Sequence, residues 1–172
     1  MLANPRILHS DNVFRIASWR NAIITDVAGS IDVERMRRLG RAYRELLVDH
    51  PEGIVSCGLI RPGVPVAPAD ARNESARFMK ELGSSILVAM IVEDKGVLAQ
   101  VMQTVIRGIN VLARNPRLIM FRSIEEAVSF LAPQVSAAGA GSDVAADLLA
   151  AIRFVRSDYA PEVAKPQPAR DH

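Results

Sequence analysis

The stretch that decides the fold is LVAMIVEDKGVLAQVMQTVIRGINVLARNPRLIMF, residues 87–121. It opens with an unbroken apolar run over 87–92, as expected of a strand covered on both faces. Residues 96–114 then read as a helix. Val97, Val101, Val105, Gly108 and Leu112 fall on one face of it, and Leu98, Met102, Ile106, Ile109 and Ala113 fall on another. Asp94 stands where that helix needs an N-cap, and Asn115-Pro116 ends it. Residues 118–121 (LIMF) return as a second strand. A strand, a helix and a strand in succession make a right-handed crossover between parallel strands.

Working outward, the same unit recurs. Residues 54–60 (IVSCGLI) are a second buried strand, and 61–69 (RPGVPVAPA) a loop stiffened by three prolines. A helix follows over 70–82, with Ala71, Ser75, Phe78, Met79 and Leu82 inward and Gly83 closing it. Upstream, Asp32 caps a helix to about Asp49 with Val33, Met36, Leu39, Gly40, Tyr43, Leu46 and Leu47 on one face. Pro51-Glu52-Gly53 stops it. Residues 13–19 and 22–28 read as a hairpin, with Arg20-Asn21 as its tight turn and Asn21 supplying the positive φ. At the far end Ser123-Ile-Glu-Glu126 is a capping box that opens a helix running to about Leu131, before Pro133.

The predicted class is therefore α/β: a mixed, mostly parallel sheet of about five strands with an N-terminal hairpin and helices packed on it. Residues 1–11 read as an extension, 12–132 as the α/β domain and 133–142 as a linker. Residues 143–159 read as an amphipathic helix, with Val144, Leu148, Ile152 and Val155 in one stripe. The proline-rich 160–172 reads as a disordered tail.

Composition excludes several classes. At 172 residues, 49% apolar and 23% charged, the chain is of ordinary globular make-up. The single Cys57 excludes a disulfide scaffold and fits a reducing cytoplasm. His9, His50 and His172 are too scattered for a zinc site, so no metal is expected. A net charge of +2 is too small to argue for nucleic acid. Arg37, Arg38, Arg41 and Arg44 are interspersed with Glu34, Glu45 and Asp49, which is the pattern of a solvated helix face. The first residues lack the apolar core of a signal peptide. Helix 96–114 carries Gln100, Gln103, Arg107 and Asn110. A central Arg alone costs about 2.5–3.5 kcal/mol on membrane insertion, so this helix is read as buried in protein.

No catalytic constellation stands out. There is no phosphate-binding loop, nucleophile elbow or zinc-protease motif, and Gly139-Ala-Gly141 follows a linker rather than a strand. Cys57 in a buried strand reads as a structural thiol. Glu125-Glu126 suits the positive end of a helix. Asp70 and Glu74 lie four apart on one helix face with Arg61 and Arg72 near by. They read as a solvated charged face or as a site for a polar ligand. No catalytic residue and no cofactor are expected.

Two features remain. Helix 96–114 is apolar nearly all round, so more than one of its faces must be covered. The terminal helix 143–159 or the tail, a second copy of the chain, or an apolar ligand against Met102 and Ile106 are the candidates. The loop 61–69 leaves the carboxyl end of a central strand, which is where open α/β sheets bind ligands.

The element order, LVAMIVED before a long helix, and the closing LIMFRSIEEAVSFL (118–131) together resemble the STAS domain. The likeness is to the divergent branch allied to anti-sigma-factor antagonists and their lipid-binding relatives, over about residues 12–132. The resemblance implies a non-enzymatic regulatory module that binds a protein partner. Contact would run through the loop after strand 54–60 and the helix behind it, with Arg61, Pro65, Asp70 and Glu74 as contact residues. Phosphorylatable members carry Asp-Ser-Ser-Gly in that loop. Residues 61–70 contain no Ser or Thr, so no phosphorylation site is expected. The alternative is a carrier or sensor of a lipid-like ligand lined by Met102 and Ile106.

Overall fold

The computed structural model of the chain describes residues 4–93, 96–113, 117–136 and 143–157. Its strands are β1 (Arg6–Ser10), β2 (Phe14–Trp19), β3 (Ala22–Val27), β4 (Ile54–Ile60), β5 (Ile86–Val92) and β6 (Leu118–Phe121). Its helices are α1 (Val33–Asp49), α2 (Ala69–Leu82), α3 (Val97–Ala113), α4 (Ile124–Leu131) and α5 (Val144–Ser157). One sheet takes the order β1-β2-β3-β4-β5-β6. The pairs β1–β2 and β2–β3 are antiparallel, and every later pair is parallel. This is the α/β architecture expected, with the opening hairpin in its place.

The period-two alternation of the strands divides the core in two. Ile16, Ile23, Ile54, Ile60, Ile86 and Val88 face α1, α2 and α3. Ala17, Ile24, Val55, Cys57, Leu59 and Ala89 face α4 and α5. At the α1–α2 seam, a Cβ on Gly40 would stand 3.1 Å from the Phe78 ring, so the small residue sets how closely the two helices approach. The caps are as read. Asp32 accepts from the Arg35 amide at 2.8 Å, and Ser123 from the Glu126 amide at 3.2 Å. Glu126 reaches back one residue further than expected, to the Arg122 amide at 3.1 Å.

Several expectations need correcting. The sheet has six strands, because residues 6–10 of the supposed extension pair with β2. The stretch escapes a pattern reading because an edge strand with Arg6, His9 and Ser10 shows no apolar alternation. The hairpin turn has its two residues, but Arg20, not Asn21, takes the positive φ of 52°. Asn21 is instead buried. Its side chain donates to the Gly53 and Gln134 carbonyls and accepts from the Ser136 amide, which ties the segment after α4 to the sheet.

The terminal helix does not cover α3. It lies on the opposite face of the sheet, where Leu148, Ile152 and Val155 are fully buried. It is fixed at both ends. Arg20 pairs with Asp147 at 2.9 Å, and Arg15 donates to the Val155 carbonyl at 2.8 Å. The outer row of α3 keeps Val97, Val101 and Val111 exposed. Among the described residues no helix is long and apolar enough to cross a membrane. The Asp94 cap, Asn115-Pro116, Gly139-Ala-Gly141 and the tail 160–172 lie outside the described residues.

Candidate functional site

The parallel strands deliver a loop, residues 61–68, to the carboxyl edge of the sheet. Its root is chemically fixed. Asp26 and Leu59 are register partners in β3 and β4, so Arg61, two residues on, falls on the same face as Asp26. The guanidinium reaches the carboxylate through Nη2 at 2.6 Å and Nε at 3.1 Å. Asp26 is fully buried and Arg61 half-buried. The Arg61 amide extends the ladder to the Val27 carbonyl at 2.9 Å. Glu93, at the end of β5, is held in the same manner by Arg156 of α5 at 2.7 and 3.0 Å.

Beyond Arg61 the loop turns at Gly63, whose φ of 78° suits glycine. Val64 drops into the core while Pro65 stays exposed. Arg72, in the first turn of α2, donates through Nη1 to the Ala67 carbonyl at 2.8 Å and so pins the end of the loop to the helix.

Beneath this loop lies a cavity of about 120 Å³ between the sheet and helices α1, α2 and α3. Phe14, Val64, Met79, Met90, Met102 and Ile106 form much of its wall, and Pro65, Ala67 and Arg72 belong to its rim. Met102 and Ile106 are among its lining residues. Gly58 makes room for the Met90 side chain in the wall: a Cβ there would stand 2.5 Å from the Met90 sulfur. Polar atoms are few. Thr25 and Ser75 bring hydroxyls to the wall. The Tyr43 hydroxyl bonds Ser56 at 2.8 Å, and burial pushes its pKa up to about 12.

The four expected contact residues do not converge. Arg61 is the root of the loop and Pro65 sits on its crest. Asp70 is exposed and accepts from the amide of Ala71 at 2.8 Å. Glu74 turns into the α1–α2 seam. There the Arg77 guanidinium holds its carboxyl below the ordinary range against a smaller burial penalty, helped by the charges of Arg37 and Arg44. Arg44 in turn pairs with Glu81 at 2.7 and 2.8 Å. Asp26 was not singled out from the sequence, although an acid inside the apolar run AIITDV is a signal for a buried partner. Among the described residues no group of three or more His, Cys, Asp or Glu is placed to hold a metal ion.

The chain is similar to the solved structure of an anti-sigma factor antagonist from Mycobacterium paratuberculosis. Identity is 14%, over 72% of this chain and 97% of that chain, with a TM-score of 0.43. No protein-family model matches. No curated protein matches. At that score the likeness transfers no residue role, and the strand order above stands on its own.

Proposed function

We propose that this chain is a non-enzymatic, STAS-like regulatory module of the cytoplasm. It binds a protein partner through the loop 61–68 and the outer side of α2. The observation that carries this reading is the way the carboxyl edge uses its charges. Asp26 and Glu93 are each held by an arginine, which suits a positioning role, and Glu74 is held by Arg77 in the α1–α2 seam. What the edge offers outward is a stiff, proline-rich crest, as a preformed contact surface requires.

Pro65 and Asp70 are the contact residues to substitute. Arg61 is unsuitable because it also holds the buried Asp26. The test is affinity purification of tagged full-length protein from its source cells, comparing wild type with Pro65→Arg and Asp70→Lys. The expected result is a stoichiometric protein partner with wild type that is lost with both variants at unchanged melting temperature. The same partners at the same yield with all three chains would overturn the assignment.

A second reading, a carrier or sensor of an apolar ligand, is favoured by the cavity against Met102 and Ile106. Met102→Trp fills it. Undiminished uptake of an apolar probe by that variant would remove this reading.

A further inference from the structure

The cavity under loop 61–68 is apolar inside and carries a guanidinium at its rim. We infer that it takes a small amphiphile, an acyl chain of a few carbons ending in a carboxylate, with Arg72 binding the carboxylate. The inference rests on the apolar-ligand reading above and names the ligand class for it.

Size sets the tail. At about 120 Å³ the space is on the scale of the roughly 150 Å³ apolar cavity that admits benzene. A long-chain lipid does not fit in it, whereas a short acyl or branched chain does. Wall chemistry supports an apolar tail. Met36, Met79, Met90 and Met102 all line it, and flexible thioethers adapt to irregular apolar shapes.

Arg72 sets the head. Its Nη1 is taken by the Ala67 carbonyl, which fixes the orientation of the guanidinium plane. Among the described residues its Nε and Nη2 make no hydrogen bond. Those two atoms form the edge that grips a carboxylate side-on with two parallel bonds. Arg72 is half-buried at the first turn of α2, where the helix dipole adds a further preference for an anion. The neighbouring carboxylate, Asp70, is turned to its own helix amide at Ala71.

The chain carries built-in reporters. Besides the four cavity methionines, Met120 lies in β6 and lines other clefts. Full-length protein labelled at the methionine methyl carbons is titrated with hexanoate and, separately, with 1-hexanol. The expected result is that hexanoate shifts the four cavity methyl signals and binds about tenfold more tightly than the alcohol. In Arg72→Gln, which keeps an amide donor for Ala67, that preference is expected to disappear while hexanol binding is unchanged.

Equal binding of acid and alcohol in wild type would overturn the carboxylate and leave the apolar cavity standing. A preference that survives Arg72→Gln would overturn the role of Arg72. No shift of the cavity methyls with either compound would overturn this inference and the apolar-ligand reading together.

Discussion

Arg61, the first residue of the β4–α2 loop, closes on the fully buried carboxylate of Asp26 at 2.6 Å. The contact ties the loop that crosses the cavity to the interior of β3, so the loop cannot lift as a whole without uncovering a charge. Next to it, Arg15 faces Asp26 across the β2–β3 ladder and reaches the carbonyl of Val155 in α5. Loop, hairpin and terminal helix therefore meet at one charged knot inside an otherwise apolar layer.

Removing Arg61 takes one of two neighbouring guanidinium groups from a buried carboxylate and leaves Arg15 as its cross-strand neighbour. Arg61→Ala is expected to cost about 3–5 kcal/mol, whereas Arg61→Met combined with Asp26→Leu is expected to recover most of the loss. Urea unfolding of the two variants checks this. A single variant as stable as wild type would mean that the pair does not hold the loop.

The terminal helix is part of the core and not an appendage. Leu148 is fully buried against the sheet, so Leu148→Ala is expected to destabilise the protein by about 2–5 kcal/mol. A loss below about 1 kcal/mol in the same assay would show that α5 detaches in solution.

Cys57 lies at the centre of β4 with no exposed surface, and burial pushes its thiol up to about 12. The folded protein is therefore expected to resist thiol reagents at pH 8 and to be labelled only as it unfolds. Labelling of the native protein at the rate of a free thiol would contradict the placement of β4 in the sheet.

Asp11 organises the turn into β2. Burial pulls its pKa upward. The amides of Val13 and Phe14 and the side chains of His9 and Arg35 outweigh that pull and bring it below the usual value. A lowered folded-state pKa means that the stabilisation is present above the unfolded value, about 3.9, and is lost as the pH falls through the folded one. Asp11→Asn is expected to melt lower than wild type at neutral pH, and the gap is expected to close below about pH 4. A gap constant down to pH 2 would show that the hydrogen bonds do not depend on charge.

The sheet was legible where the strands are buried on both faces. IVSCGLI and LVAMIV leave no alternative to central strands, and the caps at Asp32 and Ser123 are local chemistry that sequence spacing displays. β1 was not legible, because an edge strand can be polar and its pairing is decided by β2. The position of α5 was not legible either. Its apolar stripe says that it is covered, but which sheet face covers it depends on Arg20, Arg15 and Glu93, which lie about 60–140 residues away in sequence. For the site, Met102 and Ile106 were readable as a second apolar face of α3. Arg61, Asp70 and Glu74 were readable as polar neighbours of one loop. Their separate partners, Asp26, the Ala71 amide and Arg77, exist only once β3 lies beside β4 and α2 is formed.

Hydrogen exchange of the full-length protein, measured free and with the protein partner it retains on purification, tests most directly that the chain acts by binding at the crest of the β4–α2 loop. Added protection confined to residues 61–82 is the result predicted. Protection over α4 and α5, with residues 61–82 unchanged, would contradict it.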